Sequence, residues 1–157
     1  CRDKSNGSLI LDKSGAVRGS KLLGQGFIGE QYFHPRPSAA GSGYDAANSG
    51  GSNLGPASQR LRDSIKERVA AYRKENHLRQ NQPVPADALS ASASGLDPHI
   101  SLSNAELQAP RVARVRGLSE ADVRKLIKQH TEGRDLGMLG DPGVNVLTLN
   151  LALENLE

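Results

Sequence analysis

At 157 residues, 24% of them charged and 36% hydrophobic, with a net charge of only +3, the chain is sized for one domain with a core of its own. Aromatic residues make up 3% and tryptophan is absent, so the core is aliphatic, and the few rings are not interleaved with basic residues as a nucleic-acid surface requires. The single cysteine, Cys1, excludes an internal disulfide and a Cys-based metal site, and no run of about eighteen apolar residues marks a membrane span.

The first residues carry no Met, which leaves two readings of what precedes Cys1: a membrane segment or a lipoprotein signal. Asn6–Leu11 is a short apolar run, and Asp12-Lys13-Ser14-Gly15 is turn chemistry before Val17–Leu23. The pattern predicts a hairpin with strands near 8–11 and 17–23. Gly24-Gln25-Gly26-Phe27-Ile28-Gly29 spells the dinucleotide-binding fingerprint, which needs a helix opening on its last glycine. Pro35 and Pro37 forbid that helix, so the glycines are read as structural. Tyr32, Phe33, His34 and Arg36 are read as rings filling an aromatic-poor core, against a clamp on a partner or ligand. Residues 38–58 are Gly/Ser-rich and bury little, a surface excursion or a segment lying on another protein. Within them Ser49, Gly50, Gly51, Ser52 and Asn53 are candidates for a nest of backbone N–H groups, or for a turn into a helix.

Residues 56–76 predict a helix, with Leu61, Ile65, Val69 and Tyr72 on one face and a basic, solvated remainder. Ser90, Ser92 and Ser94 then alternate into Gly95, and Asp97-Pro98-His99 stiffens the exit. Extended, this stretch sets three hydroxyls on one side. Ser103 and Glu106 have capping-box spacing, but Pro110 predicts a fresh helix start there, with Val112 and Val115 inward and Gly117 at its end. Ser119 caps the next helix, with Val123, Leu126 and Ile127 inward and Gly133 closing it. The basic residues of both helices are read as exposed. Residues 144–149 predict a central strand whose one polar residue, Asn145, needs a buried partner, for which the serine loop is the candidate. Asn150 is then the cap of a short terminal helix. The whole reads as α+β: a small single domain, residues 1–157, with a few-stranded sheet and about three to four helices.

Serines, Asp97, and histidines 34, 77, 99 and 130 supply the ingredients of a hydrolase without its arrangement. There is no GxSxG elbow, and Pro98 between Asp97 and His99 argues against an Asp–imidazole bond within that pair. No HExxH, paired-Cys or Walker sequence occurs, so no catalytic residue and no metal ligand is assigned.

Asn6–Ile10, Gly19–Gly24, Tyr32–Ser38, Ser49–Pro56, Ser92–Ser101, Arg111–Arg116 and Val144–Leu153 together resemble the C subunit of the Kdp potassium-transporting P-type ATPase. The pair SGGSNLGP and SASGLDPHIS, in that order, carries most of the resemblance, which spans nearly the whole chain. It implies a non-catalytic accessory subunit that assembles with a channel-like potassium-binding subunit and a catalytic ATPase subunit. ATP and potassium are then met at the level of the complex, with no cofactor in this chain. It implies an inner-membrane protein whose soluble domain lies on the periplasmic side, joined to the membrane through an N-terminal helix missing from these residues. Ser49–Asn53 together with Ser92, Ser94, Gly95, Asp97 and His99 are the candidate partner-binding residues, and Asn145 a structural polar one. The alternatives are a lipid-anchored extracytoplasmic binding protein and, behind it, a serine hydrolase.

Overall fold

Two strand-to-helix junctions, built alike and set side by side, organise the second half of the chain. Ser101 ends strand β3 (His99–Ser101) in extended backbone, and its Oγ accepts the Asn104 N–H at 3.1 Å, which opens the helix Leu102–Arg116. Asn145 ends the strand Gly143–Asn145, and its Oδ1 accepts the Thr148 N–H at 3.2 Å, which opens the helix Val146–Glu154. An N-cap side chain satisfies one of the N–H groups that a first helical turn leaves bare, so each cap switches the chain from strand to helix within one residue. The strands pair antiparallel, His99 with Asn145 and Ser101 with Gly143, so the two helices leave from opposite ends of the pair.

The computed structural model describes residues 8–11, 15–39, 44–48, 58–92, 94, 96–132 and 142–156. In chain order the elements are β1 (Leu9–Leu11), β2 (Val17–Ser20), α1 (Gln59–Glu75), β3, α2 (Leu102–Arg116), α3 (Glu120–Gln129), β4 (Thr131–Glu132), β5 (Gly143–Asn145) and α4 (Val146–Glu154). Short 3-10 turns lie at Ala46–Asn48 and Ala86–Ala88. One antiparallel ribbon is β1–β2; a second sheet has the order β3-β5-β4. This is the α+β architecture expected, with four α-helices and small sheets among the described residues.

The core lies between the three-stranded sheet and helices α2, α3 and α4. Ala105, Ala109 and Ala113 recur every four residues along α2, and this narrow stripe lets Val123 and Ile127 of α3 close in. Both of those are fully buried, worth about 1.5–3 kcal/mol each. Ser119 caps α3 by accepting the Asp122 N–H, as its sequence implies. Gly117 ends α2 with φ 67°, a left-handed turn that suits glycine. Gly133, expected to close α3, lies outside the described residues.

Four expectations are corrected. The strand expected over 144–149 stops at Asn145, and the rest is helix, because the Asn145 cap competes successfully for an apolar run that fits either period. Val146, Leu149, Asn150 and Leu153 turn inward at helical spacing, which makes Asn150 an interior residue and not a cap. The helix expected to start at Pro110 starts eight residues earlier and carries Pro110 inside it. Side chains buried on both sides of the proline, from Asn104 to Ala113, outweigh the roughly 3 kcal/mol that an interior proline costs. Val115, expected inward, is 43% exposed.

Helix α1 forms as expected, yet none of its residues is buried. The hairpin also forms, but its second strand, expected to reach residue 23, stops at Ser20; Arg18 bulges from the pairing and Gly15 turns at φ 81°.

Residues 30–37 leave a turn closed by the Tyr32 N–H on Gly29 O and cross α2 and α4 without joining a sheet. Their carbonyls are taken one after another by buried or half-buried side chains. Arg111 donates to Glu30 and Tyr32, Arg116 to Gln31, Asn150 to Phe33 and Gln108 to His34. Asn150 and Gln108 also accept the N–H groups of Phe33 and His34, at 2.9 and 2.7 Å. The strap thereby receives from amide and guanidinium groups the satisfaction that a strand neighbour would give. Phe33 is driven fully into the core beneath it.

Candidate functional site

Residues 90–99 leave the Ala86–Ala88 turn and reach β3 as an irregular loop. The Ser90 hydroxyl donates back to the Ala86 carbonyl at 2.8 Å. Ser92 is buried and accepts the Asp97 N–H, while exposed Ser94 accepts the Leu96 N–H at 3.2 Å. The segment is not extended, and the three hydroxyls do not line one face as they would in a strand. They are spent on the loop's own backbone, as short hydroxyl side chains in turns tend to be. Gly95 lies outside the described residues.

Asp97 is the polar centre of this loop. Its Oδ2 receives Arg36 Nη1 at 3.0 Å, from the end of the strap, and its Oδ1 receives the His99 N–H at 3.0 Å. The His99 Nδ1 also comes within 3.4 Å of Oδ1, so the proline between them does not keep the pair apart. Pro98 turns the chain so that the two side chains fold back on one another. The imidazole hydrogen bond, then the His99 backbone N–H and the Arg36 charge, hold the Asp97 carboxyl below its ordinary value against partial burial.

The loop is sewn to the glycine-rich segment and to the sheet. Gly24 donates its N–H to Leu96 O at 2.6 Å, and a β-carbon at Gly24 would sit 2.8 Å from the Asp97 carbonyl. Gly24 therefore serves a close backbone approach and Gly29 a positive φ of 115°, structural roles as expected, and no helix follows them. Tyr44 covers the same contact, donating its hydroxyl to Arg36 O; burial pushes that phenol up to about 12. Val146 donates to Pro98 O, tying the loop to the start of α4. Between these walls Leu22, Leu23, Leu96 and Pro98 flank Arg36 and Asp97 in an open groove of about 590 Å³.

Of the candidate residues, Ser92, Ser94, Asp97 and His99 come together here, and Ser49, Gly50, Gly51, Ser52 and Asn53 lie outside the described residues. Asn145 is buried as expected. Its Nδ2 donates to Lys21 O at 2.9 Å, so its partner is the end of the hairpin and not the serine loop. Among the described residues no three His, Cys, Asp or Glu side chains converge as a metal site, and no helix is long and apolar enough to cross a membrane.

A second polar cluster is one the sequence reading did not single out. Arg111, expected at the surface, is 1% exposed. Besides the strap carbonyls it holds Asn76 Oδ1 at 3.0 Å and Gln108 Oε1 at 2.9 Å, and faces Glu75 at 3.6 Å. Glu75 meets His34 Nδ1 at 2.5 Å, and that hydrogen bond first, then the charges of His34 and Arg111, hold its carboxyl low. Asn104 completes the cluster, taking the Tyr72 hydroxyl at 2.7 Å and donating to Asp87 at 2.9 Å. The signal was present in sequence: Asn104, Gln108 and Arg111 are spaced four and three apart, one face of a helix. These hydrogen bonds, with the contacts of Glu75 to His34 and Arg111, lock the strap and α1 to α2.

Comparison with known proteins matches residues 1–155 to the family described as "KdpC: K+-transporting ATPase, c chain". A "Potassium-transporting ATPase KdpC subunit" of Mycobacterium tuberculosis is 56% identical over 154 residues, 98% of this chain and 81% of the relative. Proteins with the same description from Koribacter versatilis and Myxococcus xanthus are 54% and 52% identical, over 98% and 96% of this chain and 77% and 71% of theirs. With similarity running almost end to end, the chain belongs to the KdpC family, the c chain of K+-transporting ATPases.

Proposed function

We propose that this subunit of a K+-transporting ATPase is non-catalytic, and that it holds the complex together by docking its partner subunits in the groove beside the serine loop. The observation that supports this is how the loop's polar groups are used. Ser92, Ser94 and Asp97 are engaged by backbone N–H groups and Arg36, while Leu22, Leu23, Leu96 and Pro98 offer an apolar floor with one ion pair beside it. An apolar centre with a fixed polar marker is what a protein partner needs, and what a nucleophile or a phosphate site does not.

The partners in this reading are the channel-like potassium-binding subunit and the catalytic ATPase subunit. The domain lies on the periplasmic side of the inner membrane, and ATP and potassium bind elsewhere in the complex. The test is Leu96→Asp, which sets a charge on the groove floor. The expected outcome is loss of co-purification with the other subunits and of potassium uptake at limiting potassium, with the thermal transition of the purified subunit unchanged. A variant complex that purifies whole and transports normally overturns the docking role.

A further inference from the structure

Leu22 and Leu23, one wall of the groove, are strung between two fixed points. Before them Lys21 O accepts Asn145 Nδ2 at 2.9 Å, and after them the Gly24 N–H is held by Leu96 O at 2.6 Å. The β1–β2 ribbon from which they emerge pairs with no strand of the second sheet, so no shared ladder sets where the two leucines stand. The facing wall, Leu96 and Pro98, hangs on the same junction. Val146 donates its N–H to Pro98 O at 3.0 Å, and His99 pairs with Asn145 across β3 and β5. Asn145, with the N–H that follows it, thereby reaches both sides of the groove.

The choice of asparagine at this cap points the same way. An N-cap needs an acceptor oxygen, and Asn, Asp and Ser serve about equally well. Helices α2 and α3 take serine, Ser101 and Ser119. Of the three residue types only asparagine adds an N–H donor beside its acceptor, and at position 145 both are used. Oδ1 accepts the Thr148 N–H while Nδ2 turns to the end of the ribbon. Asn145 is 0% exposed, so no water competes for that donor, and the cap itself asks nothing of it.

We infer that Asn145 is the positioning residue of the docking groove: its Nδ2 sets the Leu22–Leu23 wall against Leu96 and Pro98, separately from the cap that its Oδ1 gives α4. This rests on the docking role proposed above and adds to it the residue that presets the groove for a partner. A wall fixed before contact spares the partner the ordering of two leucine side chains.

The experiment separates tether from cap. Asn145→Ser keeps a capping oxygen and removes the donor. Asn145→Asp keeps the shape and sets a second acceptor oxygen against Lys21 O. Asn150→Leu, which strands Phe33 and leaves the junction alone, is the control for lost stability. With Cys1→Ser as background, spin labels at Val17→Cys on the ribbon and Ser94→Cys on the loop, both exposed, read the distance between the walls in the purified chain. Dilution of the detergent-solubilised complex reads the affinity of unlabelled chains for the other subunits. Both Asn145 variants are expected to broaden the distance distribution and to weaken assembly about tenfold, Asp more than Ser, the ordering of two side chains counting for roughly that factor. Asn150→Leu is expected to lower the thermal transition and to keep the parent's distance and affinity. A parent-like distance in both Asn145 variants overturns the inference, and so does equal broadening in Asn150→Leu. Walls that loosen while the affinity stays at the parent's value count against the docking role instead, so the two failures are separable.

Discussion

The strap over residues 30–37 and the loop that ends at Pro98 are both irregular backbone outside any sheet, and they solve the same problem in opposite ways. The strap's carbonyls from Glu30 to His34 are taken by side chains more than seventy residues away in sequence, on α2 and α4, most of them buried. The N–H groups of Leu96, Asp97 and His99 are taken by the loop's own serines and aspartate within a few residues, at the edge of an open groove. Long-range satisfaction means the strap exists only when the core does. Local satisfaction means the loop carries its shape with it and can offer a face to something else. The difference separates a segment that stabilises the domain from one positioned to be used.

The sharpest way to break the strap is through its hub. Arg111→Met keeps most of the volume but leaves Asn76 Oδ1 and the carbonyls of Glu30 and Tyr32 without a donor in the interior. Removing one member of a buried charged network costs about 3–5 kcal/mol. Urea unfolding of the purified chain should show that loss as a lower midpoint with little change in slope, and an unshifted midpoint would mean that the strap holds without its hub.

A smaller cut isolates one clasp. Asn150→Leu is isosteric and suits an apolar helix face, yet it strands both the N–H and the C=O of Phe33. Each unsatisfied buried group costs about 1–3 kcal/mol, offset in part by the leucine's own burial, so a net loss near 2 kcal/mol is expected by the same measurement. Proteolysis should then cut first within residues 30–37, while the loop at 90–99 keeps its wild-type rate. Equal sensitisation of both segments would show that they are one cooperative unit.

This contrast also explains which parts of the molecule the sequence disclosed. The hairpin, α1, the Ser119 cap and Gly117 rest on local chemistry, and local patterns predicted them. The serine loop was recognisable for the same reason: its serines bond groups only a few residues away. Arg111, Gln108 and Asn150 were hidden because their partners lie far along the chain, and a basic residue on a helix is more often solvated than buried. Position 145 shows the limit most plainly. Asn145 was expected to sit inside a strand and is instead the switch from strand to helix, since an apolar run such as 144–149 satisfies both periods until its cap is considered. Two segments of the KdpC resemblance, by contrast, contain residues of the groove wall, Leu22 and Leu23 in one and Leu96 with Asp97 in the other.

The finest separation of the two regions uses acid. Glu75 belongs to the strap's cluster and Asp97 to the loop, and each carboxyl is held below its ordinary value, 4.5 and 3.8 respectively, chiefly by a histidine hydrogen bond. A carboxyl whose value is depressed by folding adds stability that is fully present above its unfolded value and is lost as pH falls through its folded one. Unfolding free energy should therefore be level with respect to these two groups above about pH 5 and fall below it. Asp97→Asn removes one contribution and leaves the other. Because Asp97 and its Arg36 partner are both partly exposed, the variant should lose no more than about 1 kcal/mol at neutral pH and show a shallower acid slope, with the part due to Glu75 intact. If the slope below pH 4 is identical in the variant and the parent, Asp97 does not titrate with folding, and the loop's shape owes nothing to its charge.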